Sequence, residues 1–213
     1  LTEVRADQAV ATNTGALPGW AFGKDGGGAV SFPGSAGNRI TFGNNSVVTG
    51  NVAVSTSVWA WFTNTAGSPG EVTVNFGTDI ANQEIFIARL STGKFYSEFG
   101  AGTGAVTGAT TLVAKTWYHL VSVYTTTANN IYVNGGLDGT TAYSSANIGA
   151  GTLQFSWGSF LNAGTYQLEM AGRLDDMRIY NRALSAAEVK TIYNRPWDLR
   201  WQPNTLFVAR SGG

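Results

Sequence analysis

The chain has 213 residues, with 13 Lys and Arg balanced by 13 Asp and Glu, one His, no Cys and 28 Gly. Charged residues make up 12%, about half the usual share of ~25%, and the two signs cancel, which excludes an electrostatic footprint for nucleic acid or anionic lipid. Without cysteine there is no disulfide framework, thiolate nucleophile or Cys-based zinc site, and no apolar stretch approaches the roughly 20 residues of a membrane helix. The length suits one all-β domain, since sandwiches often run to roughly 200–250 residues as a single unit. Leu1 opens the chain without a basic segment and apolar core behind it, so the start does not decide between processing and an incomplete sequence.

Short apolar segments with period-two alternation, separated by Gly, Thr, Ser and Asn, run along most of the chain and predict β-strands. In GAVSFPGSAGNRITF (28–42), Val30 and Phe32 alternate with small residues, a Pro-Gly turn follows, and Ile40 and Phe42 resume the pattern, which predicts a hairpin. VAVSTSVWAWF (52–62) places Val58, Ala60 and Phe62 on one face and Trp59 and Trp61 on the other, as in a central strand covered on both sides. Further strands are expected at 71–77, 84–90, 94–100, 117–124, 129–135, 152–158 and 166–181. Their spacing of roughly 10–15 residues predicts a two-sheet antiparallel sandwich. Asn134, Gly135 and Gly136 suit a tight hairpin that demands positive φ.

One stretch reads as helix. In RALSAAEVKTIYNRP (182–196), Ser185 and Glu188 form a capping box, Leu184, Val189 and Ile192 supply an apolar stripe, and Pro196 stops the helix near Tyr193 or Asn194. The remaining run holds Trp197, Leu199, Trp201, Leu206, Phe207 and Val208, too apolar for a free tail and too short for a domain. It either wraps its own sandwich or docks on a neighbouring subunit.

The strings TWYHLVSVY and NNIYVNG, followed by GRLDDMRIYNRALSAAEVKTIYN, closely resemble the concanavalin A-like jelly-roll domains of the laminin-G-like family. The resemblance runs from about residue 28 to 194, leaving an N-terminal segment (1–27) and a C-terminal arm (195–213). It implies an all-β two-sheet antiparallel jelly-roll sandwich with one short helix near 185–194 and an extended arm. The run Pro-Trp-x-Leu followed by a Pro and an apolar strand is similar to tails in bacteriophage structural proteins.

Alternation puts Asp175 in phase with Met177 and Ile179. A carboxylate in phase with core residues needs backbone donors, a cation or a metal ion. The resemblance implies a structural calcium held by Asp175 with carbonyls of the first hairpin, at Gly34 or its neighbours; the alternative is that Asp175 bonds loop amides. Asp25 and Asp138, in Gly-rich turns, are weaker calcium candidates. His119, the only histidine, lies mid-strand with Val121 and Val123 and reads as a packed structural residue rather than a catalytic base. Glycosidases of this general fold carry paired carboxylates on one strand, whereas Glu84, Glu98 and Glu169 are isolated one per strand; cross-strand pairing alone would supply the separation hydrolysis requires.

Sugars are held by aromatic faces and neutral hydrogen-bonding groups. Trp59, Trp61, Tyr96 and Tyr166 rank first as ligand contacts, and Trp197, Trp201 and Phe207 as assembly contacts. The expected function is non-catalytic recognition or attachment, on the exterior of a virion or outside a cell, with neighbouring subunits and cell-surface glycan as partners. The alternatives are a secreted lectin-like adhesion domain and a glycoside hydrolase or lyase.

Overall fold

A computed structural model describes residues 12–14, 19–25, 27–35, 38–42, 48–64, 70–77, 80–148, 155–162, 165–194 and 205–209. The strands are β1 (Thr12–Thr14), β2 (Gly19–Phe22), β3 (Gly28–Pro33), β4 (Arg39–Phe42), β5 (Val54–Phe62), β6 (Gly70–Phe76), β7 (Ile85–Leu90), β8 (Lys94–Glu98) and β9 (Val106–Thr111). They continue as β10 (Trp117–Tyr124), β11 (Ala128–Val133), β12 (Gly136–Ala142), β13 (Phe155–Trp157), β14 (Phe160–Asn162), β15 (Thr165–Gln167) and β16 (Ala171–Tyr180). Helix α1 (Ala186–Asn194) and β17 (Thr205–Ala209) follow.

Two antiparallel sheets form a jelly-roll sandwich. One has the order β1-β4-β13-β6-β7-β8-β9; the other has the order β12-β11-β10-β5-β16-β3-β2, with β17 also paired to β16. Inward alternation supplies the shared core: Val58, Ala60, Phe62, Leu120 and Leu174 from the second sheet meet Val74, Phe76, Ile87, Phe95 and Trp157 from the first. Each of these side chains larger than alanine contributes roughly 1.5–3 kcal/mol by leaving water. The expected central strand is β5, flanked by β10 and β16.

The hairpin expected at 28–42 does not form. β3 pairs with β2 and β16, whereas β4 pairs with β1 and β13, so residues 33–39 carry the chain from one sheet to the other. Alternation is the same whether two strands lie side by side or face each other across a core, and Phe32 and Ile40 do the latter. Gly34 turns this corner at φ +74, where a Cβ would sit 2.6 Å from that of Ala171. The Asn134-Gly135 turn is as expected, with φ of 51 and 77 between β11 and β12. Strands β9 and β12 were not legible as strands, because their Thr- and Gly-rich sequences lack apolar alternation. They close one side of the sandwich, where Asp138 accepts hydrogen bonds from the Thr110 N–H (3.0 Å) and hydroxyl (2.6 Å). The segment before residue 28 contributes β1 and β2, so the sandwich extends beyond the expected boundary.

Helix α1 packs on the outer face of the β5-containing sheet, burying Val189 and Ile192 with Leu184 against Val121, Val123, Tyr132 and Tyr180. Its capping box is formed: Ser185 N–H donates to Glu188 Oε2 (2.8 Å) and Glu188 N–H donates to Ser185 Oγ (3.2 Å). Among the described residues no helix is long and apolar enough to cross a membrane.

Candidate functional site

The expected ligand-binding side chains fall on opposite outer faces of the sandwich. Trp59 and Trp61 project from β5 beneath the α1 side; Tyr96 projects from β8 on the far sheet. Tyr166 lies in β15, in the β14–β15 hairpin, and its side chain is outside the described residues.

Trp59 is 3% exposed. Tyr193 of α1 stacks on it at 5.7 Å between centroids, and the Lys24 ammonium lies 4.9 Å from its ring. A ring covered on this scale is packing, not a sugar platform. Trp61 is half-buried, with the Arg173 guanidinium 4.5 Å from its ring centroid. His119, opposite Trp59 in the β10–β5 register, is sealed at 0% exposure and hydrogen-bonded through Nε2 to Ser57 Oγ at 2.9 Å. Burial, reinforced by the nearby Arg178 guanidinium, lowers its pKa to about 3. It is neutral and has no route to a substrate, as expected of a structural histidine.

Asp175 does not face the core. It pairs with Trp59 across β16 and β5, and the next paired residue is Arg178 against Ser57, so Asp176 and Met177 together oppose Val58. This is a β-bulge, with Asp176 at φ +48, a conformation Asp tolerates better than most residues. The extra residue reverses the phase: Leu174 and Met177 point inward, whereas Asp175 and Arg178 point outward. Arg178 pairs with Asp176 at 2.7 Å, both buried.

The outward Asp175 carboxylate accepts the N–H of Lys24 at Oδ2 (3.0 Å) and that of Asp176 at Oδ1 (2.8 Å). Gly23 permits the approach, since a Cβ there would collide with Oδ2. Ala171 pairs with Pro33, so Asp175 is four strand positions from the Gly34 corner, ~13 Å at the rise of a strand. Asp175 and Gly34 therefore cannot share a calcium shell, which needs six to eight oxygens at about 2.3–2.6 Å. Among the described residues no three acidic or His side chains converge on a cation position. The geometry is that of a carboxylate capping loop amides.

The other outer face carries the more suggestive constellation. Lys94, Tyr96 and Glu98 alternate outward along β8, while Phe95 and Phe99 enter the core. Opposite them, β7 presents Phe86 and Ala88. The β14–β15 hairpin lays Phe160 over Phe86, edge to face at 4.9 Å, and Val72 and Leu168 complete this apolar patch. Tyr96 stands half-buried beside it, its ring edge to face with Phe86 at 6.1 Å, and its hydroxyl donates to Glu98 Oε2 at 2.6 Å. Burial, then the hydrogen bond and negative charge of Glu98, push the Tyr96 pKa up, so the phenol keeps its proton. The backing residues Phe86, Phe160 and Leu168 were not singled out from sequence; the alternation in KFYSEFG was the available signal.

The sequence left a cross-strand carboxylate pair open. Glu84 immediately precedes β7, and Glu98, at the end of β8, pairs with Phe86. Glu84, however, is 0% exposed and receives the side-chain amide of Asn75, while Glu98 is 9% exposed and receives Tyr96. Glu169 lies between β15 and β16, outside both β7 and β8. The arrangement presents a rigid aromatic and hydrogen-bonding surface, not two accessible carboxyls flanking a bond.

In the arm, Trp197 and Trp201 lie outside the described residues. Phe207 is in β17, whose backbone pairs with β16 of the same chain, opposite Ile179.

A family model described as the concanavalin A-like lectin/glucanases superfamily matches residues 33–190, about three quarters of the chain. The chain belongs to this superfamily. No curated protein sequence matches it. Among solved structures, this superfamily member is similar to the binding domain of Paraclostridial Mosquitocidal Protein 1 (TM-score 0.70, 13% identity, 90% of this chain and 48% of that one). It is also similar to domain 4 of AbnA, an extracellular arabinanase of Geobacillus stearothermophilus, in complex with arabinotriose (TM-score 0.66, 20% identity, 90% and 92%). The binding domain of botulinum neurotoxin serotype G aligns at TM-score 0.61 and 14% identity, over 88% and 46%. The chain thus spans about half the length of the two toxin domains and nearly all of the arabinanase domain.

Proposed function

We propose that this chain is a non-catalytic, lectin-like carbohydrate-binding module that works outside the cell. The observation that carries the reading is Tyr96, a half-exposed ring fixed by Phe86 and hydrogen-bonded to Glu98 on the face opposite α1. Aromatic rings stack on sugar C–H surfaces, and neighbouring polar groups orient the hydroxyls. The likeness to an arabinanase domain crystallised with arabinotriose, matched over nearly its full length, supports a saccharide ligand.

A self-contained module is favoured over an attachment or virion decoration protein by one feature. The strand of the arm, β17, is already paired in the chain's own sheet. A surface of neighbouring subunits remains the competing role for Trp197 and Trp201.

Binding to immobilised polysaccharides and a glycan array tests the reading. Tyr96→Ala is expected to abolish the strongest signal, while Trp61→Ala on the opposite face leaves it intact. Loss on Trp61→Ala with retention on Tyr96→Ala moves the site to the other sheet. Particle association without glycan binding favours attachment instead.

A further inference from the structure

We propose that the outer face away from Tyr96, that of the β5-containing sheet, holds a second ligand site, which takes the carboxylate of an acidic saccharide at Arg173. Trp117, Trp61, Arg173 and Ser31 are successive cross-strand partners on β10, β5, β16 and β3, so their side chains form one row on this face. All four are partly exposed. The neighbouring row of His119, Trp59 and Asp175 is buried, beneath Tyr193 of α1 and the loop that carries Gly23 and Lys24. The cover stops before Trp61.

The row holds hydrogen-bond donors and no carboxylate. Among the described residues Arg89, Arg178 and Arg182 are each paired with a carboxylate, of Glu71, Asp176 and Glu188 respectively; Arg173 is paired with none. Its guanidinium lies 4.5 Å from the Trp61 ring centroid and donates one N–H, from Nη1, to the Phe22 carbonyl at 3.3 Å. Trp61 is thus a positioning residue. It holds the guanidinium plane, and the remaining N–H groups form the fork that matches a planar carboxylate in a bidentate pair. The indole N–H groups of Trp61 and Trp117 and the Ser31 hydroxyl meet no partner among the described residues, and Lys115, exposed two residues before Trp117, adds positive charge. The nearby carboxylates are engaged: Asp175 accepts the N–H groups of Lys24 and Asp176, and Asp25 pairs with the Lys24 ammonium. From Arg173 to Trp117 the row crosses two strand spacings, ~10 Å. That span suits a short oligosaccharide rather than a lone ion, with the Trp117 ring offering a face to sugar C–H groups.

The test titrates the full chain calorimetrically at low salt with trigalacturonate and with its methyl ester, which keeps the rings and removes the charges. The free acid is expected to bind roughly tenfold more tightly than the ester, the order of one charge-assisted hydrogen bond. Arg173→Gln is expected to abolish that preference, and Arg173→Lys, which keeps the charge without the planar fork, to weaken the acid severalfold. Tyr96→Ala, on the other face, is expected to leave binding of the acid unchanged. Should Arg173→Gln fall short of the wild-type melting temperature, Trp117→Ala is expected to weaken the acid severalfold, and unchanged affinity there overturns the site. A wild type indifferent between acid and ester overturns it too, as does an unchanged preference in a folded Arg173→Gln. Loss of the acid in Tyr96→Ala overturns it by moving the binding to the opposite face. A peptide carboxylate that binds as tightly as trigalacturonate overturns the saccharide as ligand. Each of these outcomes leaves neutral-saccharide binding at Tyr96 standing, since that reading fails only on the array.

Discussion

The main-chain N–H of Lys24 donates to Asp175 Oδ2 at 3.0 Å, tying the loop after β2 to the bulge in β16 across 151 positions of sequence. That bond, with the one from Asp176 N–H, saturates one lone pair on each oxygen of a buried carboxylate. Removing an acceptor from a buried donor typically costs about 1–3 kcal/mol. Asp175→Leu is therefore expected to lower stability by that order, and Gly23→Ala to do the same by forcing the loop away from Oδ2. Urea denaturation measures both. Because two main-chain amides already occupy the Asp175 oxygens, chelator is expected to leave the wild-type melting temperature unaltered; a drop of several degrees would restore a bound metal.

Acid should destabilise the protein through His119. Its pKa in the folded state is lowered to about 3 from an ordinary 6.5 by burial and by Arg178. Between those values the unfolded chain binds more protons than the folded one. The contribution is thus complete above about pH 6.5 and is lost as pH falls toward 3, with a limiting slope of ~1.4 kcal/mol per pH unit. Glu188, held down to about 2 chiefly by its hydrogen bond from Arg182, acts in the same direction only below its ordinary 4.5. Unfolding free energies between pH 6.5 and 5 isolate the histidine, and His119→Gln is expected to flatten the slope there. A slope unchanged in that variant would assign the acid sensitivity elsewhere.

Helix α1 depends on its cap. Ser185→Ala removes the side-chain acceptor for Glu188 N–H and is expected to cost about 1 kcal/mol. Glu188→Gln, which retains much of the box but loses the Arg182 pair at 2.7 Å, should cost less because that pair is partly exposed. Since α1 covers Trp59, quenching of tryptophan fluorescence by acrylamide should rise measurably in the first variant; equal quenching in both would separate the cap from the cover.

Truncation before Thr205 removes β17 and leaves the Met177–Tyr180 half of β16 with an unpaired edge. Loss of stability in a chain that is monomeric before and after would fit a strand serving its own sandwich. A change of sedimentation from assembly to monomer would instead give the arm a role between subunits.

Local patterning in the sequence was sufficient for the sandwich, the central position of β5, the Asn134-Gly135 turn and the helix with its cap, because each is specified by residues within a few positions of one another. The sequence equally read His119 as a packed structural residue and ranked Tyr96 among the ligand contacts. Three decisions belonged to the tertiary structure. The bulge at Asp176 reversed the side on which Asp175 lies, and one inserted residue leaves no mark on an apolar alternation. Strands β3 and β4 went to different sheets, since inward-facing residues look the same whether their strands are neighbours or opposed. Above all, Trp59 and Tyr96 are equivalent in sequence, both aromatic and both on strands; only the packing of α1 and Lys24 over the first, and among the described residues of no helix over the second, made one a buried contact and left the other a candidate surface. Burial of an outer face is set by elements distant in the chain, and periodicity within a strand carries no information about them.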